Sequence, residues 1–273
     1  MKRKKAKDTG VKILLLICIL VVVMFLVIFG YIAIRVGKEP NNKESSALEE
    51  SSVIAVESRL EDTISSEETR PDGLNPDYSR LILVNGENPL PKDYDYNGNI
   101  TTIENKYLCG YRNQMDKDAM PYALAMIEAA WKDNVELYIL SPYRSYDSQV
   151  TLFNNEVTRW KNKGYAQAEA EQKASTVVAR PGTSEHHTGL AIDFNSVEDS
   201  FENTECFKWL EKNAADYGFI MRYSVEKQPI TGVIHESWHW RFVGIKHAKA
   251  IKSMDVCLEE YIEYLEKSGS KAE

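Results

Sequence analysis

Two short stretches hold four of the five histidines: Ser184-Glu185-His186-His187-Thr188-Gly189-Leu190-Ala191-Ile192-Asp193 and His235-Glu236-Ser237-Trp238-His239-Trp240-Arg241. Each sets imidazoles beside a carboxylate. Catalytic zinc sites take three protein ligands of nitrogen or oxygen type and keep a further position open. His186, Asp193 and His239 supply two nitrogens and one oxygen. Side chains alternate across a strand. Leu190, Ile192 and Phe194 therefore share one face, with Ala191 and Asp193 on the other. In the second stretch Trp238, Trp240 and Phe242 form the apolar face, and His239 and Arg241 point the opposite way. Asp193 and His239 thus leave two core-facing strands for a common cleft, and His186 reaches it from the turn before Gly189. Glu236, three residues before His239, needs a bend to face the same point. It is the spare carboxylate, suited to act as general base on water. His187 and His235 read as surface or supporting groups, and His247 as a solvated or capping residue.

Working outward, the pattern gives helices over Asp118–Lys132, Asp147–Lys163, Ala166–Ala179 and Thr204–Tyr217, with a final amphipathic helix over Ala248–Leu265. Strands are expected at Arg80–Val84, Val135–Leu140, Leu190–Phe194 and Trp238–Val243. Helices and strands do not alternate in regular βα units, so the expected class is α+β, a small antiparallel sheet flanked by helices. The single globular domain so outlined spans 76–267.

The chain has 273 residues and a formal net charge of -8. An acidic total argues against nucleic acid as a partner. The charge is unevenly spread: residues 1–37 carry a net +6 and residues 38–73 a net -6. From Ile13 to Ile34 there are 22 residues without a charge, enough to cross a hydrocarbon core of about 30 Å. Six bases precede this run. The positive-inside rule then makes 1–12 a cytoplasmic tail, 13–34 a single-pass anchor in the cell membrane, and the remainder extracytoplasmic. A cleaved signal peptide fits less well, since the run is long and Tyr31-Ile32-Ala33 is a poor cleavage site. Residues 35–75, rich in Ser and Glu and poor in apolar residues, read as a disordered linker. Four cysteines are too sparse for a disulfide scaffold. Cys18 falls in the anchor, and Cys109, Cys206 and Cys257 have no metal-binding spacing.

The pattern Ser184-x-His186-x-x-Gly189-x-Ala191-x-Asp193, followed by Glu236-x-x-His239, resembles the signature of VanY-type D-alanyl-D-alanine carboxypeptidases, zinc peptidases of the hedgehog/DD-peptidase fold. Leu83-Val84-Asn85, Asn88-Pro89-Leu90-Pro91, Ser141-x-Tyr143-Arg144-Ser145 and Trp238-His239-Trp240-Arg241-Phe242-Val243-Gly244 extend the likeness over Arg80 to Gly244. Phe242 stands where many relatives have Tyr. The resemblance implies one Zn2+ per chain on His186, Asp193 and His239, with Glu236 as catalytic carboxylate. It further implies Arg144 as the arginine that stabilises the oxyanion, Gln149 as a group near the peptide end, and Ser184 as the contact to the substrate's terminal carboxylate. Trp238 and Tyr223 are placed either as cleft walls or as core aromatics. The implied partners are peptidoglycan stem peptides. The implied function is a D,D-carboxypeptidase that removes terminal D-Ala, with zinc-activated water as nucleophile. An L,D-carboxypeptidase acting on tetrapeptide stems would use the same metal centre. A non-catalytic wall-binding ectodomain would lack a ligand or the base, and all four residues are present.

Overall fold

The computed structural model describes residues 74–75, 77–94 and 99–269. The expected tail, anchor and nearly all of the linker lie outside the described residues. Among the described residues no helix is long and apolar enough to cross a membrane.

Among the described residues, six strands and seven helices follow in chain order. β1 (Ile100–Thr102) and β2 (Gln114–Asp116) form a two-stranded antiparallel sheet. Then come α1 (Met120–Lys132), β3 (Ile139–Ser141), α2 (Tyr146–Asn162) and α3 (Gln167–Ser175). β4 (Ala191–Phe194), α4 (Glu205–Asn213) and β5 (Phe219–Tyr223) follow. The short α5 (Gln228–Thr231), β6 (Glu236–Phe242), α6 (Ile245–Met254) and α7 (Leu258–Lys267) come last among the described elements. The second sheet runs β3-β4-β6-β5, with every neighbouring pair antiparallel. The α+β class is as expected, with two small sheets in place of one.

One face of the larger sheet is apolar. Ile192 and Phe194 of β4 and Trp240 and Phe242 of β6 belong to one buried cluster with Ala123, Met126, Ile127 and Ala130 of α1. A second cluster joins Ile220 and Val243 to Ile251, Leu258, Tyr261 and Leu265 of the last two helices. Fully burying each such aliphatic side chain contributes about 1.5–3 kcal/mol. α2 and α3 pack through Phe153, Val157, Ala170 and Ala174. Ser145 caps α2, its hydroxyl accepting from the Ser148 N–H.

The chain departs from expectation in several places, among them the expected helix Ala166–Ala179, which ends at Ser175, and the unexpected short α5. Arg80–Val84 forms no strand; its Arg80 and Ile82 carbonyls accept from the Arg241 guanidinium. The expected strand at Val135–Leu140 shortens to β3 and ends at Ser141. The single final helix is broken at Asp255, which adopts a left-handed conformation (φ 55°). A new start follows at Cys257, whose N–H donates to Glu260 Oε2. Finally β1, β2 and β5 were not expected. β1 and β2 are three residues each, too short to show a period. In β5 a fully buried Arg222 interrupts the hydrophobic pattern.

Gly189 lets the motif turn close. It sits at φ 63°, and a Cβ there would lie 2.7 Å from the Asp116 backbone nitrogen. That nitrogen donates to the Gly189 carbonyl at 3.0 Å, tying the turn to β2. Gly189→Ala is expected to cost at least about 1–2 kcal/mol from backbone conformation alone. It should lower the melting temperature by several degrees, and an unchanged thermal unfolding curve would contradict this reading.

Candidate metal and catalytic site

The 3-10 turn Glu185–Thr188, closed by Gly189, delivers His186 to the edge of the sheet. The Pro142 carbonyl can only accept, so His186 Nδ1–H donates to it at 2.8 Å. The free Nε2 then lies 3.3 Å from Asp193 Oδ2. Asp193 on β4 is directly paired with His239 on β6, and His239 Nδ1 is 3.0 Å from Asp193 Oδ1. One ligand atom from each of the three residues lies within 4.8 Å of the others, and all three side chains are buried.

Electrostatics bind the triad tightly. Burial pushes His186 down to about 4, against the pull of Asp193, so its lone pair is free at neutral pH. Burial would raise Asp193, but the two imidazoles overturn this and hold it below the usual carboxylate range. Burial would lower His239, but hydrogen bonds to Asp193 and Glu185 lift it to about 9. The proton so held on the His239 ring lies among carboxylates where a dication can replace it. Two imidazoles and a carboxylate match the donor set of a catalytic zinc ion with an open position.

Glu236 reaches the same point through an irregularity in the sheet. Met221 pairs with Trp240, but two residues on Tyr223 pairs with Glu236, four residues back along β6. The extra residues of this bulge turn the strand. They bring Glu236 Oε2 to 3.9 Å from His239 Nδ1. This is the bend that strand alternation alone required. Burial pushes the Glu236 carboxyl up to about 7, His239 opposing it.

Arg144 leaves the chain just after β3. Its NH1 donates to Gln149 Oε1 and its NH2 to Ser141 Oγ, both at 2.9 Å, with NH2 3.7 Å from Asp193 Oδ2. Its buried Nε has no partner among the described residues. Gln149 is itself buried, giving its other amide group to the Ala179 carbonyl at 2.6 Å. Its amide is thus spent on holding Arg144. Ser184, Tyr223 and Trp238 line a cavity of about 390 Å³ together with Arg144, His186, Asp193, His239 and Glu236. Val177, Val178, Val197 and Val233 give the cavity an apolar side.

The remaining histidines are structural. His187 is buried, its Nδ1–H donating to the Arg144 carbonyl and its Nε2 accepting from the Gly182 N–H. His235 bonds the Tyr223 carbonyl through Nδ1 at 2.9 Å. His247 packs on Tyr261, Nδ1 to hydroxyl 2.9 Å. Arg241, on the His239 side of β6, is fully buried. Sequence reasoning missed Glu185 and Arg222. Both are buried, and Glu185 accepts from Arg222 and Arg241 behind His239. The signal for Glu185 was its place inside the histidine motif. Arg222 left none.

Comparison with known proteins follows the same lines. Residues 112–245 match the profile of the family described as VanY: D-alanyl-D-alanine carboxypeptidase. A D-alanyl-D-alanine carboxypeptidase of Enterococcus faecalis is 40% identical over 182 residues, covering 67% of this chain and 65% of the relative. The chain thus spans just under two thirds of that relative's length. Among solved structures, a mutant of the vancomycin resistance D,D-pentapeptidase VanY in complex with Zn(II) is 40% identical with TM-score 0.58, covering 67% of this chain and 98% of that one. The LD-carboxypeptidase LdcB is 37% identical with TM-score 0.59, covering 66% and 84%. The His186, Asp193 and His239 donors fit the ion carried by the first of these structures.

Proposed function

Since the chain belongs to the VanY family of D-alanyl-D-alanine carboxypeptidases, we propose that it is a membrane-anchored zinc D,D-carboxypeptidase that removes the terminal D-Ala from peptidoglycan stem peptides outside the cell membrane. The observation that carries this reading is the convergence of His186, Asp193 and His239 beside Glu236, on one wall of an open cavity.

Zn2+, when held by His186, Asp193 and His239, would supply Lewis acidity that makes water a better acid and a carbonyl more electrophilic. The chain's own groups do the rest. Glu236 Oε2 takes a proton from the attacking water and passes it to the leaving amino nitrogen as the C–N bond breaks. Arg144 is held rigidly by Gln149 and Ser141, with its Nε unpaired, and stabilises charge growing on the carbonyl oxygen. Ser184 on the cavity wall meets the terminal carboxylate. Tyr223, whose ring lies 5.0 Å from that of His239, and Trp238 exclude water from one side. The charge-free run 13–34 and the bases before it support the anchor, which keeps the domain near the wall.

A second reading, an L,D-carboxypeptidase acting on tetrapeptides, draws on LdcB, whose fold matches this chain as well as the VanY structure does. The test uses the full chain in detergent with zinc and stem peptides. Release of D-Ala from a pentapeptide ending in D-Ala-D-Ala should exceed release from the tetrapeptide. A preference for the tetrapeptide selects the second reading, and a zinc-loaded folded chain inert on both removes the proposal. The anchor predicts that the chain stays with cell membranes through an alkaline wash; release into the supernatant would refute it.

A further inference from the structure

Behind the metal triad lies a chain of buried charges. Glu185 is 1% exposed. Its Oε1 accepts from Arg222 Nε at 2.8 Å and Arg241 NH1 at 2.9 Å, and its Oε2 is 3.4 Å from His239 Nε2. Arg222 is also fully buried. Its two remaining nitrogens grip Glu259 of α7 in a bidentate pair, NH1 to Oε2 at 2.8 Å and NH2 to Oε1 at 2.5 Å. Asn85 Nδ2 donates to Glu259 Oε1 at 3.1 Å. Arg241 NH2 donates to the Ile82 carbonyl at 2.7 Å.

Two carboxylates and two guanidinium groups balance. A buried carboxylate so paired needs no further positive charge. Glu185 Oε2 therefore faces His239 Nε2 as a hydrogen-bond acceptor. When a dication replaces the proton on Nδ1, the acceptor at Nε2 would keep the remaining proton there and leave the Nδ1 lone pair for the ion. Partners of this kind fix ring orientation in metal sites generally. Asn85, Ile82 and Glu259 lie outside the 112–245 span that matches the family profile. The support for the ligand thus comes partly from segments beyond it.

We propose that Glu185 is a positioning residue for the zinc ligand His239, and that α7, through Glu259 and Arg222, braces that ligand from outside the 112–245 span of the family profile. The inference rests on the zinc assignment above and adds the groups that tune it.

The experiment measures zinc affinity of the full chain by competition with a chromophoric chelator, and the visible absorption of the Co2+-substituted protein. Glu185→Gln should weaken zinc about 10–100-fold and shift the Co2+ bands. Glu259→Gln, which touches no ligand, should weaken it less, by about 2–10-fold. A merely structural ion pair would lower the melting temperature while leaving the affinity and spectrum of the folded protein unchanged. Wild-type affinity and an unshifted spectrum in either folded variant overturn the proposal. If Glu185→Gln does not fold, Glu259→Gln decides. A wild-type chain that binds no zinc overturns the metal assignment and this inference with it. Wild-type zinc binding with unaltered variants overturns the inference alone.

Discussion

Glu236→Gln is expected to yield a folded chain that still holds one zinc ion and has lost about 10²–10⁴-fold in kcat on a pentapeptide. The ion should stay because Glu236 lies outside the triad, its carboxylate 3.9 Å from His239 Nδ1. The amide keeps the shape of the side chain and cannot take a proton from water. The loss should fall on kcat more than on KM, since the missing interaction is made in the transition state. The pH profile gives a second readout. Burial holds this carboxyl up at about 7 when no ion is present, and a dication beside it favours the carboxylate. The wild-type acid limb should therefore lie below 7, with activity lost as pH falls through it, and the variant should lack that limb. Zinc content by elemental analysis and D-Ala release by chromatography check both parts. A variant within tenfold of wild type would remove Glu236 from the chemistry.

Asp193→Ala should abolish both metal and activity. The carboxylate lies 3.3 Å from His186 Nε2 and 3.0 Å from His239 Nδ1, so its loss removes the one oxygen donor between two nitrogens. Arg144, 3.7 Å away, loses its facing charge as well. Zinc per chain should fall near zero and D-Ala release below detection. Chelating the wild type should give the same inactive state, with one difference: added zinc restores the wild type and leaves Asp193→Ala inert. Stability supplies an independent measure. An ion at about a thousand times its dissociation constant stabilises the fold by about 4 kcal/mol. For a domain of this size that is about 8–16 °C in melting temperature. Wild type should drop by that order on chelation and Asp193→Ala should not respond. A variant that keeps stoichiometric zinc would show that the ligands lie elsewhere.

The histidine motifs were legible because their information is local. Two residues of spacing decide which face of a strand carries Asp193 or His239, and the apolar residues between them declare the core face. The structure pairs Asp193 with His239 and packs both apolar faces into one core. Elements that depend on distant partners were less legible. Arg80–Val84 has strand composition, yet its carbonyls are claimed by Arg241. Asp255 interrupts an otherwise continuous helical stripe because a left-handed residue leaves almost no trace in hydrophobic periodicity. Gln149 read as a substrate contact until its two amide ends were seen to be held by Arg144 and Ala179.

The amino-acid sequence alone determined the α+β class and pointed to the three candidate donors that the fold brings together, since both follow from side-chain period and donor type. It also determined the charge pattern that motivates the anchor. Only the tertiary structure decided where Glu236 points, because the bulge that turns it arises in pairing with β5, an element of no visible pattern. It alone showed that Glu185 lies between Arg222 and Arg241. Arg222 is 37 positions away on β5, so no local pattern in the sequence announces the pair.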